Sequence, residues 1–148
     1  MKLMEELDKK KLTVQMLEQL ITKKKLEEFL DDNKENFINI ELSQYLLKLI
    51  YDKDSTPPKV IRAAGIEKSY LYQILNGKRQ PGRDKLLRIA FALGLDIIET
   101  DRLLKIANKG ILYTRDIRDA SIIFCLNNKY SLDKSQQLLD KFGLEPLE

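Results

Sequence analysis

The chain has 148 residues, 43% of them apolar, one third charged, and a net charge of +3, which is enough apolar material for a packed core. A single cysteine, Cys125, excludes an internal disulfide, and the absence of histidine removes the usual zinc site and the histidine-based nucleophilic triad. No apolar run approaches the ~18 residues that span a bilayer, and the first residues lack a signal-like apolar segment, so the expected compartment is the cytoplasm, with no membrane partner, metal or cofactor.

Apolar residues recur with the 3.6-residue period almost throughout, and no stretch alternates as a strand does, so an all-α fold is expected. A first helical segment, as one helix or two, runs from about Glu5 to Leu30, with Leu7, Val14, Leu17 and Ile21 among solvated runs at Lys9 to Lys11 and Lys23 to Lys25. Polar residues from Asp31 to Asn36 read as a connection, and Phe37, Ile38 and Ile40 lead into a helix from Glu41 to Tyr51. Thr56 caps the next helix, Pro57 takes its first position, and Gly65 ends it. A short helix from Glu67 to Leu75 closes at Asn76 and Gly77. Pro81 and Gly82 precede a helix from Arg83 to Leu93, closed by Gly94. Asp96 and Glu99 form a capping box for a helix from Ile97 to Asn108 that is stopped by Gly110. Helices near Asp116 to Asn127 and from Leu132 to Phe142 complete the chain, the last capped by Ser131 and stopped by Gly143.

Charge is distributed unevenly along these elements. Between Lys59 and Arg88 there are eight basic residues against two acidic ones, a local net of +6, so the rest of the chain sums to −3. A concentration of cations of this kind suits a polyanion, because phosphate contacts release condensed counterions. A solvated basic surface is the alternative reading of the same pattern.

The stretch Val60 to Pro81, VIRAAGIEKSYLYQILNGKRQP, holds two short helices joined at Gly65. Ala64 is small where the helices cross, Gly65 permits positive φ, and Ile66 fills the gap between them. Leu71, Ile74 and Leu75 face a core, which leaves Lys68, Ser69, Tyr72, Gln73 and Asn76 outward. These residues, with the ending Asn76-Gly77-Lys78-Arg79 and the following LLRIAFALGLDIIETDRLLKIA, resemble the Cro and phage-repressor (XRE family) helix-turn-helix over roughly residues 41–108.

The resemblance implies a five-helix repressor-like core at residues 37–108, flanked by helical extensions at 1–36 and 109–148, the latter packed on the core. It implies base reading by Lys68, Ser69, Tyr72 and Gln73, with Gln73 on an adenine edge and Lys68 on a guanine. It also implies positioning on phosphates by Tyr70, Asn76, Lys78, Arg79 and Arg83. The expected protein is a DNA-binding transcriptional regulator and not an enzyme, acting on double-stranded DNA as a homodimer with recognition helices about 34 Å apart.

Other residues depart from that pattern. Pro57 and Pro58 carry no amide with which to grip a phosphate at the helix start, and Glu67 opens the recognition helix with a negative charge. These departures motivate the alternative of an interaction adaptor or antitoxin-like partner with weak DNA affinity. Tyr70 and Tyr72 read either as DNA contacts or as partly buried rings. Cys125 reads as a small buried hydrophobe, and Arg115, Arg118 and Asp119 as a surface ion-pair set or a partner patch.

Overall fold

The computed structural model describes residues 2–22, 25–34, 36 and 41–148, and among these all regular structure is helical. The order is α1 (Lys2–Thr22), α2 (Leu26–Asp32), α3 (Leu42–Asp52), α4 (Pro57–Ala64), α5 (Lys68–Leu75), α6 (Arg83–Leu93), α7 (Ile97–Ile106), α8 (Ile117–Asn127) and α9 (Leu132–Lys141). None of the described helices is long and apolar enough to cross a membrane. The chain divides into two compact units, Met1–Asn39 and Ile40–Glu148.

In the first unit the N-terminal segment forms two helices. The side-chain amide of the buried Asn33 joins them by donating to Gln19 Oε1 at 2.8 Å and to the Phe29 carbonyl at 2.9 Å. Asp31 and Asp32 continue α2 where a polar connection was expected. Phe37, Ile38 and Ile40, the apolar approach to α3, lie outside the described residues.

The second unit is built around α6. Its Leu86, Leu87, Ile89 and Ala90 are fully buried, and α4, α7 and α9 pack on it, while α3 packs on α5 and α7. One continuous core takes in Leu46, Val60, Leu71, Ile74, Leu95, Leu103, Leu104, Ile122, Leu126 and Leu139, so α8 and α9 share the core of α3 to α7.

Local chemistry sets most boundaries. The Thr56 hydroxyl accepts from the Lys59 amide at the start of α4. Asp96 and Glu99 exchange hydrogen bonds of 2.7 and 3.0 Å as a capping box for α7, and Glu99 also meets Lys53 at 3.0 Å. Asp116 and Ser131 cap α8 and α9.

Two helix ends differ from expectation. Helix α7 stops at Ile106 and not at Asn108, because Asn108 itself takes the left-handed conformation (φ 58°) and lets the Lys109 amide reach back to the Leu104 carbonyl at 2.8 Å. Gly110 is not left-handed and does not stop the helix. After α5, Asn76 keeps a right-handed φ of −88°, and Gly77 alone makes the reversal with φ 73°.

Candidate nucleic-acid interface

Helices α4 and α5 are joined by Gly65, Ile66 and Glu67. Gly65 sits at φ 62°, a conformation that costs a residue with a Cβ about 1–2 kcal/mol. A Cβ there would also lie 2.8 Å from a terminal nitrogen of Arg88. That guanidinium donates to the Ala64 carbonyl at 2.8 Å and to the Gly65 carbonyl at 3.4 Å, so the turn is held from α6. Ala64, Ile66, Leu71, Ile74 and Leu75 are buried and fix how α5 lies against α4 and α3.

With that face committed, α5 presents the rest of its surface to solvent. Lys68, Ser69, Asn76, Lys78 and Arg79 are exposed, and Tyr70, Tyr72 and Gln73 are half-buried. Both tyrosines pack against the core while part of each side chain stays accessible. Gln73 and Arg79 are joined: Arg79 Nε donates to Gln73 Oε1 at 2.7 Å, and the Arg79 guanidinium lies 4.8 Å from the centre of the Tyr70 ring.

The structure gives Arg83 a different task from the phosphate contact expected of it. Its guanidinium donates to both Asp119 oxygens at 2.9 and 2.8 Å and to the carbonyls of Gly110 and Ile111 at 2.9 and 3.1 Å. Four of its five N–H groups are thus used inside the fold, where they hold the α7–α8 connection. Asp119 is buried and also accepts from the Tyr113 amide at 3.0 Å.

A second pair crosses the first. Arg118 is bidentate to Asp84 at 3.1 and 2.9 Å and donates to the carbonyls of Glu145 and Pro146. Burial raises the Asp84 pKa, but Arg118, the Glu148 amide and the charge of Arg83 outweigh it, so the carboxyl is held below its ordinary value. The hydrogen bond and charge of Asp84 raise the Arg118 pKa against the opposing effect of burial. Arg118 and Asp119 therefore pair with α6 and not with each other.

The C-terminal segment completes this arrangement. Leu147 is buried, its backbone exchanges two 2.8 Å hydrogen bonds with the Gln136 amide, and its carbonyl accepts from Arg88 at 2.7 Å. Lys85 bonds the Glu148 carbonyl. Of the eight basic residues between Lys59 and Arg88, three on α6 face internal partners, while Lys59, Arg62, Lys68, Lys78 and Arg79 remain exposed on α4, α5 and the segment after it. The sequence groups all eight by charge, and the fold divides them. The signal for the division is the pair Arg118-Asp119, one charge of each sign one-third of a turn apart, but its partners are 34 and 36 residues away.

Elsewhere on this unit, Ile117, Ala120, Ser121, Phe124, Tyr130, Leu138 and Phe142 line an open apolar groove between α8 and α9. Cys125 is fully buried in the core. Comparison with protein-family models, with curated proteins and with solved structures finds no match to this chain.

Proposed function

We propose that the protein is a sequence-specific DNA-binding regulator with a five-helix repressor-like core, in which α5 enters the major groove and α4 lies across its edge. The observation that carries this reading is the α4–Gly65–α5 unit. It pairs a rigid internal face with an outward face made of Lys68, Ser69, Tyr72, Gln73 and Asn76, and places Lys78 and Arg79 immediately after it. Lys68, Ser69, Tyr72 and Gln73 read base edges. Tyr70, Asn76, Lys78 and Arg79, with Lys59 and Arg62, supply phosphate contacts. Arg83 is not in this set, because Asp119 holds it.

A DNA complex that sets Lys59, Arg62, Lys78 and Arg79 on phosphates has a log–log salt slope of about −3.6, a loss of roughly 150-fold in affinity between about 50 and 200 mM salt. Fluorescence anisotropy with duplex DNA measures this slope. A slope near zero, or no binding at about 50 mM salt with the helical signal intact, removes the reading.

The open apolar groove between α8 and α9, with Phe124 and Phe142 53% and 60% exposed, favours a second reading as an interaction adaptor. That reading requires binding of a protein and no steep salt dependence on DNA.

A further inference from the structure

Gln73 and Arg79 lie six residues apart in sequence yet side by side in space. The cause is Gly77, whose left-handed backbone turns the chain at the end of α5, so that the Lys78 amide reaches back to the Gln73 carbonyl at 2.8 Å. The chain then returns along α5, past Gln73 and past Tyr70, one helical turn earlier. Two contacts fix Arg79 there: its Nε–H donates to Gln73 Oε1 at 2.7 Å, and its guanidinium lies over the Tyr70 ring, 4.8 Å from the ring centre.

The consequence lies in which atoms remain. An amide reads adenine by accepting from N6–H while donating to N7. Here the Gln73 oxygen already accepts a charge-assisted bond, which is stronger than a neutral one. That bond takes one of the two lone pairs of Gln73 Oε1, and beside the other remain the Gln73 NH₂ group and the two terminal nitrogens of Arg79, so the groups left on the pair are mostly donors. In the major groove guanine alone offers two adjacent acceptors, O6 and N7.

We infer that Gln73 and Arg79 form a single reading unit selective for guanine, with the terminal edge of Arg79 bidentate to O6 and N7, Gln73 as its buttress and Tyr70 as the shelf beneath it. This changes the role of Arg79 from phosphate positioning to base reading and the preference at Gln73 from adenine to guanine. It rests on the DNA-binding reading above.

The test is selection of bound duplexes from a random pool, followed by affinity measurement on the selected site with each base at every position. The wild-type chain is expected to enrich guanine at one position per half-site. Arg79→Lys keeps the charge but loses the planar fork and should cut that preference by roughly tenfold to a hundredfold. Gln73→Met keeps the length, removes the buttress and should weaken preference at the same position. The double variant should lose little beyond Arg79→Lys alone, because the two residues act as one.

Adenine enriched at the position that Gln73→Met affects overturns the inference while leaving DNA binding intact. So does an Arg79→Lys variant that binds every sequence more weakly by a common factor, which is the behaviour of a phosphate contact. Absence of binding to any duplex at low salt, with an unchanged far-ultraviolet spectrum, overturns the DNA reading itself and the inference with it.

Discussion

Replacing Leu147 by alanine tests whether the C-terminal segment is part of the structural unit that carries α4 and α5. The side chain is 2% exposed and belongs to the continuous core. Three buried carbons at about 0.8 kcal/mol each give roughly 2.4 kcal/mol. A cavity left beside α6 would add to this, whereas a segment so near the end of the chain can relax into it, so about 2–3 kcal/mol is expected. For a domain of this size each kcal/mol shifts the melting temperature by roughly 2–4 °C, which predicts a fall of about 4–12 °C. Urea denaturation followed by circular dichroism gives the free energy directly. Gln136→Ala removes both hydrogen bonds to the Leu147 backbone and should couple to Leu147→Ala in a double-mutant cycle. A change below about 0.5 kcal/mol for Leu147→Ala would mean that the segment is not packed as described. The connection to Ala64 and Gly65 through Arg88 would then lose its support.

Other perturbations address the charged network and the turn. Asp119→Ala leaves two Arg83 N–H groups and the Tyr113 amide without their acceptor and should cost about 2–4 kcal/mol in the same assay. Arg83→Ala should lower stability while leaving the salt slope of DNA binding unchanged, whereas Lys78→Ala should reduce that slope by about one unit with little effect on melting. Because the folded pKa of Asp84 is lowered, its contribution is present above the unfolded value of about 3.9 and is lost as pH falls through the folded value. Asp84→Asn should therefore cost about 1 kcal/mol near neutral pH, reduced by solvent screening, and the difference from wild type should shrink on acidification to about pH 3. Gly65→Ala should destabilise by about 1–2 kcal/mol from its positive φ, with a further penalty from displacing the Arg88 guanidinium, read as a lower denaturation midpoint.

How far the sequence is legible depends on whether the determining contact is local. The caps at Thr56, Asp96 and Ser131 and the left-handed glycines at 65, 94 and 143 act within four residues, and the helix ends they set lie where the pattern places them. The end of α7 differs from the pattern for a related reason: Asn108 and Gly110 both tolerate positive φ, and composition alone does not say which one adopts it. The inward-facing side of the α4–α5 unit follows from helical spacing and is buried as expected.

The charged side chains were legible only as charges. Arg83 meets Asp119 across 36 residues, Lys85 meets Glu148 across 63, and Arg88 meets Leu147 across 59, so their removal from the exposed basic set follows from tertiary packing alone. Gln73 and Arg79 read as separate groups in the sequence for the same kind of reason. Their contact depends on a chain reversal at Gly77 whose direction the sequence does not specify.

The central claim, that the outward face of α5 reads DNA sequence, is tested most directly by comparing affinity for a duplex selected from a random pool with affinity for a scrambled duplex at several salt concentrations. The account predicts a specificity ratio of at least about 10³ and a log–log slope between about −2.5 and −4. Equal affinity for the two duplexes, or no binding at about 50 mM salt by a folded protein, would contradict it.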